Sequence, residues 1–438
     1  MLPALDSRLL GNLLLVALAA APAAAQAGLL DPGFGGGDGV LTEQLSSSPF
    51  DVAYAVVVQP DGKIVTAGRS RSSTTGLSSF AITRHHADGT LDTGFGSGGQ
   101  VAAFAGHNVF CFDVRLDASG RIVAAGRAYV SGQWDVGVLR LTSTGALDGT
   151  FGTGGLVRFA LAQNATDYAN AVAVQPDGKV VVACYVSRPS GQNIAVARLS
   201  ANGSLDKTFG TKGIAILGSL GDGGYVALRA IALQPDGRIL VGGGSSTASR
   251  WSVIRLNANG SLDGSFGSGG VANTSFGASC SLSGMALQPD GKIVAVGVFR
   301  TTPTPSPSYF AAARCLPGGA LDTTFGTAGV VLSGVECVSR QCVVQPDGRI
   351  VAGLTLSSSG DDTHMTLFRM LGNGVADAGF GTNGFATPTD PAGAAVRENL
   401  QAIAIDPTTG NIVGAGLSED PPFPSAVVRF ALARWLGN

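Results

Sequence analysis

Charge is scarce in this chain. Only 13% of its 438 residues are Asp, Glu, Lys or Arg, about half the usual share, and the formal net charge is -2. That composition leaves no basic footprint for nucleic acid or an anionic membrane surface. Aromatics are 7% of the chain and scattered, so no stacking platform for single strands is apparent. The four histidines, without HExxH or any short-range His–carboxylate pair, offer neither a metal site nor an acid–base centre. No GxSxG elbow occurs, and no GxxxxGK followed by Ser or Thr. Paired carboxylates such as Asp361-Asp362 and Glu419-Asp420 adjoin in sequence but lack the buried setting that tunes an acid–base pair. No catalytic residue, cofactor or metal is therefore assigned. Beyond the N-terminus, no apolar run reaches the roughly 18 residues a membrane helix needs.

The six cysteines, Cys111, Cys184, Cys280, Cys315, Cys337 and Cys342, have no CxxC spacing, which leaves zinc and thioredoxin chemistry unsupported. Sequence alone does not choose among their possible pairings. Cys280 and Cys337 both fall eight residues before the Gln of a repeated turn described below. They are the preferred disulfide, against the alternative of six small buried thiols.

What the chain has in excess is glycine, 65 residues, together with 45% hydrophobic residues. Disorder is excluded by that apolar content, and collagen by the absence of a glycine at every third position. Residues 1–27 read as an export signal: Arg8, an apolar core Leu13–Ala20, and Ala25-Gln26-Ala27 as a small-x-small cleavage pattern. Cleavage before Gly28 is expected, with the mature protein outside the cytoplasm: secreted, periplasmic or at the cell surface. An uncleaved anchor is the minor alternative, because Asp6 weakens the positive end.

Self-similarity decides the rest. A turn signature recurs as Gln59-Pro-Asp-Gly62, Gln175-Pro-Asp-Gly178, Gln234-Pro-Asp-Gly237, Gln288-Pro-Asp-Gly291 and Gln345-Pro-Asp-Gly348, with degenerate copies at Asp117–Gly120 and Asp406–Gly410. A second signature, LDxxFG, begins at Leu30, Leu91, Leu147, Leu205, Leu262 and Leu321, with a variant at Ala376–Gly381. Both occur seven times. Residues 28–438 therefore divide into seven repeats of about 59 residues, leaving no second domain. Each repeat reads as four short strands. The first follows LDxxFG, the second leads into the QPDG hairpin turn, the third leaves it, and the fourth carries an Arg, as in Ile194-Ala-Val-Ala-Arg198. Strands apolar on both faces need cover on both sides. Four strands repeated radially at this period make propeller blades. The expected fold is all-β: a seven-bladed β-propeller, four antiparallel strands per blade, with residues 30–35 bridging the last blade to the first. A β-solenoid is the runner-up and would want distinct capping units.

QPDGKIV, LDxxFGxxG and FAxxR at a spacing near 60 resemble the delta-60 repeat family of bacterial secreted and surface proteins. The resemblance runs through the whole of 28–438 and implies a β-propeller and export, without an assigned activity.

Seven copies separate scaffold from function. Residues present in every copy do what every repeat needs. The repeated arginines, Arg84, Arg140, Arg198, Arg255, Arg314, Arg369 and Arg434, are expected to pair with crossover carboxylates or carbonyls, in preference to lining a channel as an anion ring. The repeated signatures fall on one face of the disc, and the loops that vary fall on the other, where binding residues are expected. On that face Asp51, Asn108, Asp167 and Glu398, eight or nine residues ahead of their turns, are read with Tyr168 and Tyr225 as a polar ligand-binding rim near the central channel. A solvated rim without function is the alternative. The leading reading is a monomeric binding or interaction scaffold without turnover, its partner an extracellular protein or glycan. The alternatives are an extracellular enzyme acting on a polysaccharide at the channel mouth and a structural envelope component.

Overall fold

The computed structural model describes residues 26–45, 50–162, 165–188, 191–218, 226–245, 249–276, 279–301, 307–357, 362–388, 397–419 and 427–437. The expected export segment lies outside the described residues up to position 25, as do Tyr225 and the central parts of the loops at 302–306, 358–361 and 420–426. Every helix or strand among the described residues is a β-strand.

The strands pair antiparallel in sets of four. β1 (Val40–Glu43) is set aside for the moment. β2 (Asp51–Val58), β3 (Ile64–Arg71), β4 (Ser78–His85) and the start of β5 (Gln100–Leu116) pair in that order. The end of β5 opens the next set, with β6 (Ile122–Val130), β7 (Gln133–Leu141) and β8 (Leu156–Phe159). β9 (Thr166–Val174), β10 (Val180–Arg188), β11 (Gly191–Leu199) and β12 (Ile214–Gly218) follow. Next come β13 (Val226–Leu233), β14 (Ile239–Ser245), β15 (Arg250–Leu256) and β16 (Val271–Ser275). β17 (Ser279–Leu287), β18 (Ile293–Arg300) and β19 (Tyr309–Cys315) are completed by the start of β20 (Val330–Val344). The end of β20 pairs on through β21 (Ile350–Ser357) and β22 (Thr363–Met370) to β23 (Phe385–Ala386). The last set, β24 (Arg397–Ile405), β25 (Ile412–Glu419) and β26 (Val428–Trp435), takes its fourth strand from the N-terminus: β1 pairs with β26, Val40 opposite Ala433.

This order corrects one expectation. The segment after LDxxFG is the outer strand of the preceding sheet, paired with the Arg-bearing strand, as β12 is with β11. The strand leading into the QPDG turn, not the one after LDxxFG, begins each set. LDxxFG is thus a turn inside a sheet, and the crossing to the next sheet comes after the strand that follows it. At the chain's start the bridging piece extends to β1, beyond residues 30–35.

Seven hydrophobic clusters lie between consecutive sheets. One of them joins the last sheet to the first, packing Val413, Ala415, Phe430 and Leu432 against Ala53, Val56 and Ile64. Each interface also holds one latch. In the third sheet, the Arg198 Nε donates to Asp206 Oδ2 at 2.9 Å, and its Nη1 reaches across to the Ala258 carbonyl at 2.5 Å. Its guanidinium carbon lies 4.7 Å from the centroid of Phe209, which is fully buried. The same arrangement recurs at all seven arginines, with Nε–carboxylate distances of 2.7 to 2.9 Å. Each Nη1 reaches a carbonyl of the next sheet, and Arg434 reaches Ala87 of the first. A glycine from the next sheet closes on the same Phe: Gly145, at φ +89°, lies so close that a Cβ would overlap Phe95. The expected pairing of the repeated arginines is what the structure contains.

The six cysteines are free buried thiols. The Cys280–Cys337 disulfide is not formed, and the two side chains pack in different interface clusters. Burial pushes the Cys280, Cys337 and Cys342 thiols up to about 12, so they behave as inert apolar side chains.

The latches set the acid response. Burial acts to raise the carboxyls of Asp148 and Asp206. Hydrogen bonds from the hydroxyl and amide of Thr150 and Thr208, with the latch arginines, outweigh it and hold both at about 2. A carboxylate whose folded value is depressed stabilises the fold above its unfolded value, here about 3.8, and loses that contribution as pH falls through the folded one. Melting temperature is therefore expected to fall steeply between pH 4 and pH 2. Thermal melts across that range check it, and a flat profile contradicts it.

Candidate functional site

Each set's first strand carries a β-bulge at one equivalent position. The pairing skips Tyr54 in β2, Phe112 in β5, Asn170 in β9, Arg229 in β13, Ser283 in β17, Arg340 and Gln341 in β20, and Gln401 in β24. A bulge leaves its extra residue out of the ladder and re-aims the side chain. The partner strand must yield room: a Cβ on Gly68, Gly126, Gly297 or Gly416 would overlap the carbonyl oxygen of Val52, Phe110, Ser281 or Asn399.

All the skipped residues line one cavity. Tyr54, Phe112, Asn170, Arg229, Ser283, Arg340 and Gln401 also line an adjoining chamber of about 440 Å³, reached from Ser281, Arg300, Ser308 and Cys337 at the start of the first strands and the ends of their partners. The two spaces form a channel with one residue from every sheet at its waist. Hydrogen bonds tie the waist together. The Asn170 amide donates to the Leu228 carbonyl at 2.7 Å, Arg340 Nη2 to Asn399 Oδ1 at 3.2 Å, and the Ile403 amide to Gln341 Oε1 at 3.0 Å.

The channel has two unlike sides. One is aromatic: Tyr54 and Phe112 are 5.7 Å apart edge to face, Phe110 and Phe112 stack at 5.9 Å, and Tyr168 lies 6.2 Å from Phe112. Two guanidiniums are threaded into this side. Arg69 lies over Phe50 and Phe110 at 4.4 and 4.5 Å, and Arg127 over Phe110 and Trp134 at 4.4 and 4.2 Å. The opposite side carries Arg229, Arg340 and Arg300, with Ser283, Ser308 and Gln401. Burial lowers the Arg340 guanidinium below its ordinary value, and Arg229 beside it adds to that lowering. Burial raises Tyr168, against the opposing pull of Arg229 and Arg127.

At the channel's inner end stands one carboxylate, Asp113, buried and raised by that burial against the pull of Arg115. It accepts from the Val114 amide at 2.9 Å, Arg115 Nη1 at 2.6 Å and the Val172 amide at 2.8 Å. The last of these bonds joins the second sheet to the third. Among the described residues, no group of three or more His, Cys, Asp or Glu is placed to hold a metal ion. No described helix is long and apolar enough to cross a membrane.

Five segments, 59–95, 118–151, 175–209, 234–266 and 288–325, match the family described as "Domain of unknown function (DUF5122) beta-propeller". The chain is a β-propeller repeat protein. No curated protein matches it by sequence. Among solved structures, the propeller is similar to a protein of unknown function from Dyadobacter fermentans, at 13% identity and a TM-score of 0.43, over 91% of this chain and 100% of that one. It is similar also to the β-propeller domain of the Trilobed protease from Pyrococcus furiosus, at 10% identity and a TM-score of 0.43, over 87% and 92%. Polysaccharide lyase Uly1 is a third, at 10% identity and a TM-score of 0.49, over 88% and 90%.

The rim residues read from the sequence fall at the start of the propeller's inner strands. Asp51 is fully buried and accepts the Leu45 amide at 2.8 Å. Asp167 is fully buried and accepts the Leu161 and Ala162 amides at 2.6 and 3.1 Å, so both carboxylates hold the connection entering their strand. Glu398 is half-buried, its Oε2 3.4 Å from the Met365 amide. Asn108 stands one residue ahead of the equivalent position, which is Val109. Of this set Tyr168 is the one joined to the channel's aromatic side, while Tyr225 lies outside the described residues. Sequence reasoning missed the waist itself. Its signal was available five residues ahead of each turn, where Tyr, Phe, Asn, Arg, Ser, Arg and Gln follow one another in otherwise small, apolar strands.

Asp113 reads as a structural tie between sheets. Asp113→Ala is expected to cost about 2–3 kcal/mol by stranding Arg115 and the Val172 amide, measured by urea unfolding. An unchanged midpoint contradicts that role.

Proposed function

We propose that this chain is a seven-bladed β-propeller of the delta-60 kind that captures a ligand at the mouth of its central channel without turning it over. The observation that carries this reading is the set of inner-strand bulges, which direct one side chain from every sheet into a single cavity. The strand sets, each bordered by its own latch, and the pairing of β1 with β26 support seven blades closed by the N-terminal strand. The sequence changes freely at the waist while the latch beneath it does not, which is how a rigid scaffold presents a variable site. Binding is favoured over acid–base catalysis by the state of Asp113, whose two oxygens already accept three hydrogen bonds.

The test is a thermal-shift screen of the exported chain against neutral and acidic saccharides, peptides and divalent ions. A ligand is expected to raise the melting temperature saturably, and Tyr54→Ala or Phe112→Ala to abolish the rise. A rise that survives both changes places the site elsewhere and overturns this reading.

We also propose that the protein is exported and acts outside the cytoplasm, on the strength of the N-terminal sequence pattern. The position of cleavage matters to the fold. The Gly381 amide donates to the Ala27 carbonyl at 2.9 Å, matching the bond from Gly210 to Asn259 in an earlier repeat, and Ala27 is buried. A chain beginning at Gln26 keeps that bond, whereas one beginning at Gly28 lacks it. The chain beginning at Gly28 is expected to be less stable by about 1 kcal/mol. Paired melts of the two chains of defined N-terminus measure this, and equal stability contradicts it.

A further inference from the structure

We propose that the channel mouth is built for an acidic saccharide, a sugar ring bearing a carboxylate or sulfate. This deepens the binding reading above and rests on it. The protein uses its arginines in two contrasting ways. The seven latch arginines are each neutralised by an Asp at 2.7 to 2.9 Å. Arg229, Arg300 and Arg340, which line the chamber, and Arg69 and Arg127, stacked on Phe110, have no carboxylate at ion-pair distance among the described residues. The Nε atoms of Arg69, Arg127 and Arg340 are buried without a hydrogen-bond partner. A buried guanidinium donor left unmatched is costly unless a ligand completes it, and the group that fits its planar fork is an oxyanion.

Charge alone would suit any anion. The opposite wall narrows the class. Tyr54 and Phe112 line the chamber together with Arg229 and Arg340, and Tyr168 packs against Phe112. A ligand filling the chamber of about 440 Å³ needs an apolar face for that wall, an anionic group for the guanidiniums, and hydroxyls for Ser281, Ser283, Ser308 and Gln401. A pyranose with an acidic substituent supplies all three: axial C–H groups on one face, hydroxyls at its edge, and the charge. A bare inorganic anion leaves the aromatic wall unused, and a neutral sugar leaves the arginines unmatched.

Calorimetric titration of the full exported chain decides it. The probes are digalacturonate, a sulfated galactose disaccharide, neutral galactobiose and inorganic sulfate. The two acidic disaccharides are expected to bind, their comparison separating carboxylate from sulfate, and affinity to fall as salt rises from 0.05 to about 0.5 M. Arg229→Gln with Arg340→Gln should weaken binding by about tenfold or more. Tyr54→Ala should weaken the disaccharides and leave any sulfate binding unchanged. Lys207→Ala, on the opposite face, should change nothing, and melts of each unliganded variant confirm folding. Equal binding of galactobiose, sulfate binding as tight as the disaccharides, or no binding of either acidic disaccharide overturns the acidic-saccharide assignment. If a neutral saccharide or peptide then stabilises the protein and Tyr54→Ala abolishes the effect, the channel-mouth reading stands alone. If nothing in the panel does so, both fall.

Discussion

A four-stranded sheet that is apolar on both faces is stable only when both faces are covered, and here each cover is joined to the next by one buried arginine. The latch satisfies a guanidinium from three directions: an Asp of its own turn, a carbonyl of the neighbouring sheet, and the face of a buried Phe. Breaking any one leaves a charge or a carbonyl stranded in a low-dielectric interface, which costs more than the intact group contributes. Apolar contact alone would let sheets slide or slip in register. The Nη1-to-carbonyl bond fixes the offset between neighbours, so the same offset recurs at every interface. Everything nearer the axis inherits its position from that offset.

The bulges depend on it directly. A bulge displaces a side chain by a fixed amount relative to its own sheet. Side chains from separate sheets meet at a common waist only if the sheets themselves are regularly placed. The glycines on the second strands serve the same end, because the bulged carbonyl needs their missing Cβ in the first, second, fifth and last sets. Where that position holds Cys184 or Leu354, the bulge persists with a side chain opposite it. The glycine therefore eases the distortion without being its cause. Structure is thus held at the turn end of each strand and along its middle, while chemistry varies at one residue between them.

Much of this was legible because it is repeated. LDxxFG, the strand arginine and the hairpin turn announce themselves seven times, and their pairing follows from buried charge needing a partner. The placement of the segment after LDxxFG was misread because strand order is a tertiary property: β12 is as apolar as any inner strand, and only its pairing with β11 shows it to be outermost. The waist was missed for a related reason. Periodicity assigns alternate residues to alternate faces, and a bulge breaks that alternation without leaving a mark in a single strand. Asp51 and Asp167, read as rim ligands because they are polar residues at a strand's start, are buried and accept backbone amides there. The cysteines at equivalent places, Cys280 and Cys337, invited pairing, but equivalent places in neighbouring sheets belong to separate clusters.

The distribution of arginine then separates what holds the protein together from what it presents. In a chain this poor in charge, a guanidinium placed indoors without a carboxylate is an exception that needs a cause. Packing supplies part of it for Arg69 and Arg127, whose planes lie between aromatic rings. Among the described residues no ring stacks on Arg229 or Arg340, which stand on different sheets, Arg229 exposed and Arg340 half-buried, and the charge of Arg229 adds to the lowering of Arg340. Had stability alone shaped the waist, small or neutral residues like Ser283 would serve at those two positions as they do elsewhere in the ring. Two like charges held towards one cavity, beside a third at Arg300 and facing an aromatic wall, are what a fold tolerates when the missing counter-charge arrives from outside.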